Sequence, residues 1–180
     1  VIQLHNGELL ITMSIGEAFE SADAKAYLTR SVDCGETWNL EGKLYEGSKK
    51  HRSSEGVRIS LVHNGEVIVY FVSSDRSREG AVETELLLMR SYNGGKTWTE
   101  PTEIEPPLEG PSFEICCPIA ELSDGRWVLP TQTWMGWNGY CPNGYKMVAF
   151  VSYDRGKTWP EYMNVMSDPD NKVIHWESKL

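Results

Sequence analysis

Arg58 sits inside the apolar run Val57-Arg58-Ile59-Ser60-Leu61-Val62. A guanidinium among strand-forming residues is costly to bury unless it is paired or meets an anion, and its planar fork suits a carboxylate. Asp75-Arg76 follow the next apolar run, and Asp75 has the chemistry of an acid or a base. A second carboxylate, Glu177, stands in His175-Trp176-Glu177. Between them runs Trp134-Met135-Gly136-Trp137-Asn138-Gly139-Tyr140-Cys141-Pro142-Asn143-Gly144-Tyr145, with two Trp and two Tyr among Gly and Asn. Aromatic faces stack on the C–H faces of sugar rings, and the amides of Gln132 or Asn138 can bond hydroxyls. The candidate catalytic residues are therefore Asp75 and Glu177. The candidate substrate-binding residues are Arg58, Arg76, Trp134, Trp137, Tyr140 and His175. Each has a plainer reading: Arg58 as a buried pair joining neighbouring units, Asp75 as a solvated loop charge, the aromatic loop as a cap on an apolar core. Glu114 and Glu17 are further acidic candidates, with a plainer reading as solvated strand-end charges.

What positions these residues is a repeat. The phrase Ser31-Val32-Asp33-Cys34-Gly35-Glu36-Thr37-Trp38 returns at Ser91–Trp98 and at Ser152–Trp159, with its serines 60 and 61 residues apart. A fixed period of that size marks one supersecondary unit used repeatedly. The phrase reads as a tight turn. Asp33, Asn93 and Asp154 can bond backbone amides just ahead, and Gly35, Gly95 and Gly156 supply a backbone shape that a β-carbon resists. Trp38, Trp98 and Trp159 are expected to bury their rings beneath it. His5-Asn6-Gly7, His63-Asn64-Gly65 and Ser123-Asp124-Gly125 keep the same period. Asn-Gly and Asp-Gly between apolar runs are hairpin signals.

Each unit thus reads as four strands, A to D, with the hairpin between A and B and the repeated phrase between C and D. In the middle unit these are about Val57–Val62, Glu66–Val72, Thr84–Arg90 and Thr99–Ile104. In the third they are Ile115–Leu122, Trp127–Trp134, Lys146–Ser152 and Glu161–Val165. The first has Val1–Leu4, Glu8–Ser14, Ala26–Arg30 and Glu41–Tyr45. The units are about 1–50, 51–110 and 111–170, with the start of a further unit at 171–180; Pro106-Pro107 and Asp168–Lys172 read as linkers, and Val173–Leu180 as the first strand of the further unit. Counting back seven residues from Gly65 reaches Arg58, and from Gly125 it reaches Pro118. Aligning the last segment puts Glu177 near the same level. Arg30 and Arg90 precede the repeated phrase and read as structural.

The phrase Ser-x-Asp/Asn-x-Gly-x-Thr-Trp resembles the Asp-box, or BNR repeat, of the sialidase (neuraminidase) superfamily. The resemblance covers nearly the whole chain. It implies an all-β, sialidase-like β-propeller, with about three blades here of an expected six. The Asp-boxes would sit on the rim, away from the active site. Val57–Val62 resembles the family's Arg-Ile-Pro motif, with Ser60 in place of proline. There the arginine helps to bind the substrate carboxylate. The implied activity is that of an exo-α-sialidase-like glycoside hydrolase acting at the channel mouth, with further arginines, an acid/base aspartate and a Tyr–Glu nucleophile pair. Tyr140 and Tyr145 have no glutamate partner identifiable in the sequence. The second reading is a non-catalytic propeller that binds carbohydrate or protein. By the same resemblance the location is secreted or periplasmic.

The chain has 180 residues, a net charge of −9 and 40% hydrophobic residues. There is no basic patch, so nucleic acid is not an expected partner. No apolar run approaches the roughly 18 residues of a membrane span. Cys34, Cys116, Cys117 and Cys141 fit no zinc spacing, and no residue cluster calls for a metal or an organic cofactor. Cys116 and Cys117 read as buried thiols or as a strained vicinal disulfide. The chain begins and ends inside strands. It is expected to be a piece of a longer propeller, or a half-ring closed by a second copy in a homodimer, either of which covers the blade edges.

Overall fold

The structure, a computed structural model, describes residues 1–18, 21–47, 53–75, 84–110, 112–115, 117–136 and 139–175. The first sheet runs β1 (Ile2–Gln3), β2 (Leu9–Ile15), β3 (Lys25–Ser31), β4 (Asn39–Lys43). The second runs β5 (Ser53–Leu61), β6 (Val67–Ser74), β7 (Thr84–Ser91), β8 (Thr102–Glu103). The third has β9 (Ser112–Ile115) and β10 (Ala120–Glu121), then β11 (Trp127–Trp134), β12 (Lys146–Ser152), β13 (Glu161–Ser167). All pairings are antiparallel, and strands neighbour one another in chain order except that β9 pairs with β11 and not with β10. No helix occurs among the described residues.

The expected B and C strands of the third unit match to the residue. The A strands do not. In the middle blade the strand starts four residues early, at Ser53, and carries a bulge between Glu55 and Arg58. In the third blade it is broken: β9 and β10 pair separately with β11. Segment 171–175 is irregular where it is described, and the rest of the expected further strand, 176–180, lies outside the described residues.

Alternation along β6 explains why the sheets stack. Val67, Val69 and Phe71 join Leu4, Leu10 and Leu28 of the first blade in one core. Ile68 and Tyr70 join Trp127, Leu129 and Phe150 of the third in another. A strand with period 2 and both faces apolar needs a neighbour on each side. The outermost strand, β13, is exposed along its length.

Each hairpin closes the same way. Asn6, Asn64 and Asp124 accept through Oδ1 from the amides of Glu8, Glu66 and Arg126, at 3.1–3.2 Å. Each Asp-box does too. The serine hydroxyl accepts from the glycine amide at 2.7–2.8 Å, and the third residue accepts from the threonine amide at 2.9 Å. The residue before the glycine, Cys34, Gly94 or Arg155, has φ of 58°, 68° or 63°.

The arginine before each of the first two boxes bridges to the next blade. Arg30 is held by Glu8 and Glu41 and donates to the Gly94 carbonyl at 2.8 Å. Arg90 is held by buried Glu66 and donates to the Arg155 carbonyl at 2.7 Å. Arg155 adds a second guanidinium to Glu66 at 2.8 Å, and Arg90 lies 5.2 Å above the Trp127 ring. The structural reading of both arginines thus holds, through contacts that cross from blade to blade.

The box tryptophans depart from expectation in one case. Trp159 is buried in the second–third blade core and Trp98 packs on the first–second core. Trp38 is 38% exposed. Each ring packs toward the preceding blade, and no described residues stand on that side of the first blade. Met13, Ile15 and Leu40 are exposed there as well.

Two predictions follow from this geometry. A β-carbon on Gly156 would meet Trp127 at 2.8 Å and Arg90 Nη2 at 3.3 Å, whereas one on Gly35 meets nothing closer than 3.5 Å. Both positions have positive φ. Gly35→Ala is expected to cost about 1–2 kcal/mol for its backbone alone, and Gly156→Ala about 1–3 kcal/mol more for overpacking. Urea unfolding of the two variants measures the difference. The second prediction concerns acid. Bonds from Thr37 and Ser31 lower Asp33 to about 2. Burial raises Asp154, but the Thr158 amide and hydroxyl and Ser152 outweigh it and bring it to about 2. A lowered carboxylate contributes stability that is present above its unfolded value, about 4, and lost as pH falls through its folded one. Thermal midpoints should therefore fall between pH about 4 and about 2. They should fall less in an Asp33→Asn/Asp154→Asn variant, since Asn93 already closes the second box.

Candidate functional site at the mouth end of the blades

The sheets have two unlike ends. The hairpins and Asp-boxes occupy one. At the other, β5 begins against the end of β6 (Ser53↔Ser74), and β9 begins against the end of β11 (Ser112↔Trp134). The second end is the mouth.

A buried serine cluster builds it in the middle blade. Ser53 donates to the Ser74 carbonyl at 3.1 Å, and Ser73 to the Ser53 carbonyl at 3.2 Å. Ser54 accepts from the Ala26 amide at 2.8 Å, tying β5 to the first blade. Ser74 donates to Glu55 Oε1 at 3.1 Å, and Asp75 follows, half-buried.

The bulge changes which side chains share a face. Glu55 pairs with Val72 and Arg58 with Tyr70. Val72 and Tyr70 are two apart, so Glu55 and Arg58 lie on the same side of β5 although they are three residues apart. Gly56 makes this possible with φ of 62°. Glu55 was not identifiable in the sequence, because simple alternation puts it opposite Arg58.

Arg58 donates to the Ile115 carbonyl at 3.1 Å and to the Val57 carbonyl at 3.2 Å. Tyr70 donates to the Cys117 carbonyl. Both therefore brace the break between β9 and β10. Arg58 thus joins neighbouring blades as its plainer reading expects, with a backbone carbonyl as acceptor where that reading has a carboxylate. Cys117 is buried, and Cys116 lies outside the described residues.

The aromatic loop is fastened at several points. The Trp134 and Tyr145 rings lie 5.5 Å apart, and the Tyr145 hydroxyl donates to Met135 Sδ at 3.2 Å. Tyr140 is half-exposed and does have a glutamate partner: its hydroxyl donates to Glu109 at 3.0 Å. That bond to an anion raises the phenol above its usual range. Asn143 donates to the Glu109 carbonyl. Asn171 accepts from the Tyr145 amide at 2.7 Å, so segment 168–175 crosses the mouth end of the third blade. His175, half-buried, ends that segment. Arg76, Trp137, Asn138 and Glu177 lie outside the described residues, as does the side chain of Glu114. The structure thus brings Asp75, Trp134, Tyr140 and His175 to the mouth ends of the second and third blades, whereas Arg58 lies midway along β5, opposite Tyr70. Glu17, in the loop after β2, is exposed at the mouth end of the first.

A cavity of 260 Å³ opens at the opposite end, lined among others by His5, Asn6, Glu8, Gly65, Asn93 and Lys96. These residues close turns at the first–second blade junction. No group of three or more His, Cys, Asp or Glu able to hold a metal ion occurs among the described residues.

Three stacked antiparallel blades with boxes at one end define a sialidase-like β-propeller. The BNR repeat-like domain family matches residues 7–175, and the chain belongs to it. Its fold is similar to that of a protein of unknown function from Dyadobacter fermentans DSM 18053, with a TM-score of 0.72 and 19% identity over 93% of this chain and 54% of that one. It is similar to the Hadza microbial sialidase Hz136, with a TM-score of 0.65 and 20% identity over 87% of this chain and 35% of that one. It is also similar to an α-L-arabinanase of Penicillium chrysogenum complexed with arabinobiose, with a TM-score of 0.66 and 18% identity over 95% and 49%. The chain thus spans between 35% and 54% of the lengths of these three structures. Comparison with curated proteins gives no match.

Gly56→Ala tests the bulge. A β-carbon there meets the Ile115 β-carbon at 3.3 Å, and its positive φ alone should cost about 1–2 kcal/mol. Chemical denaturation reads the loss. Gly139→Ala, with positive φ in open space, is the control and should lose less.

Proposed function

We propose that the chain is part of a sialidase-like glycoside hydrolase that binds a glycan at the mouth of the propeller. The observation that carries the reading is the meeting of unlike chemistries at one end of two adjacent blades. Glu55 and Asp75 lie toward the mouth end of the second blade, with Arg58 one pair further in on the same side of β5 as Glu55, and the Trp134–Tyr145 loop lies at the mouth end of the third. Arg58 and Arg76 take the acidic group of the sugar. Trp134, Trp137, Tyr140 and His175 form the platform under its ring. Asp75 and Glu177 serve proton transfer or charge stabilisation. A carboxylate acid needs a raised pKa and reach to the glycosidic oxygen. An exo-α-sialidase substrate fits the guanidinium best, since sialic acid carries a carboxylate.

A second reading is favoured by Arg58 itself. Its bonds to the Ile115 and Val57 carbonyls belong to a scaffold that binds a glycan without cleaving it. The non-catalytic reading keeps the platform and drops the acid.

Arg58→Lys separates the possibilities. Lysine keeps the charge but not the bidentate fork. For a carboxylate-recognising arginine, affinity for N-acetylneuraminic acid should fall about tenfold or more. Affinity for arabinobiose or xylobiose should be unchanged. Calorimetric titration of the three sugars, with thermal midpoints alongside, makes the test. A fall in midpoint with affinity intact assigns Arg58 to the scaffold alone. Hydrolysis of a fluorogenic sialoside that survives Asp75→Asn removes Asp75 from the chemistry.

A further inference from the structure

Gln132 is 1% exposed, yet neither its amide nitrogen nor its amide oxygen has a hydrogen-bond partner. The other described side chains with such atoms are Trp127, Trp159 and His175, each through one ring nitrogen. The two indoles lie in the core between the second and third blades, where ring burial outweighs one unmet N–H. Gln132 has no such offset, because an amide brings two polar groups that both lose water.

Its place in the repeat makes the residue type stand out. Seven residues after the hairpin glycine, the middle blade has Val72 and the third has Gln132. Val72 packs against the apolar core of the next junction. Gln132 stands at the mouth end of β11, against Glu114 of β9 and Met147 of β12. It shares a face with Trp134 two residues on, whose ring packs on Tyr145. His175 Nε2, also buried and unbonded, ends the segment that Asn171 fastens to Tyr145.

We propose that Gln132 is a ligand-contacting residue of the mouth site. Its amide donates one N–H and accepts one O–H from the hydroxyls of a sugar ring that enters past Trp134. The inference rests on the glycan reading and deepens it. The ligand group is a hydroxyl, which both gives and takes a hydrogen bond, as the amide does. A carboxylate or a cation would satisfy only half of it. Gln132 thus reads the hydroxyl-bearing part of the sugar.

The test is Gln132→Met in the 180-residue chain, with Gln132→Val, copying Val72, as a second variant. Removing an unbonded buried amide should raise the thermal midpoint of Gln132→Met by about 2–4 °C. Affinity for whichever of N-acetylneuraminic acid, arabinobiose or xylobiose the wild type binds should fall about tenfold or more. A lower midpoint in both variants means that the amide is bonded within the fold and overturns the inference. Unchanged affinity in a stable variant also overturns it. A wild type that binds none of the three sugars, with the Gln132→Met midpoint raised, sinks the glycan reading and this inference with it. That outcome is distinct from the first two, in which a sugar binds.

Discussion

Strand β6 has no face for solvent. Its odd residues belong to one core and its even residues to another, so the middle blade is stable only between neighbours. Burial of both faces is what makes the repeat necessary. The guanidinium bridges lie over the same two junctions. A nearly buried glutamate, Glu66, draws Arg90 and Arg155 together, and Arg90 reaches a carbonyl that the left-handed box residue turns outward. The box is therefore a socket for the arginine of the blade before it. In the third blade Arg126 and Val151 stand where Glu66 and Arg90 stand in the second, so its far side is built differently.

With the box end fixed, the mouth end is free to vary. The three box turns superpose in bonding pattern, down to Asn93 replacing aspartate and reversing one hydrogen bond. The mouth ends do not superpose. The middle blade has serines, a bulge and carboxylates, and the third has a broken inner strand and an aromatic loop. Function gathers where repeats diverge, because rigid and repeated parts hold the variable ones in place.

That contrast also decides what was legible in the sequence. Turns written in Asn-Gly and in the Asp-box phrase bond locally, so their residues announced them. The B and C strands followed from their density in Val, Ile, Leu and aromatic residues, and β11 and β12 matched to the residue. The A strands were less legible. The bulge at Gly56 depends on Ile115 in another blade, and the break before β10 is braced by Arg58 and Tyr70 across the junction. Glu55 was missed for this reason, since a bulge reverses the face that counting assigns. The exposure of Trp38 was missed because its burial depends on a neighbouring blade and not on its own turn. The Tyr140–Glu109 bond spans 31 residues and two blades, beyond the reach of any spacing rule.

The central claim is that ligand chemistry lies at the mouth end and not at the box end, where the 260 Å³ cavity opens. Backbone amide chemical-shift mapping during titration with N-acetylneuraminic acid, arabinobiose and xylobiose tests it most directly. The account predicts saturable shifts at Glu55, Arg58, Asp75, Trp134 and Tyr140, with the box amides unmoved. Shifts confined to His5, Asn93 and Lys96 would contradict it, as would the absence of shifts with all three sugars.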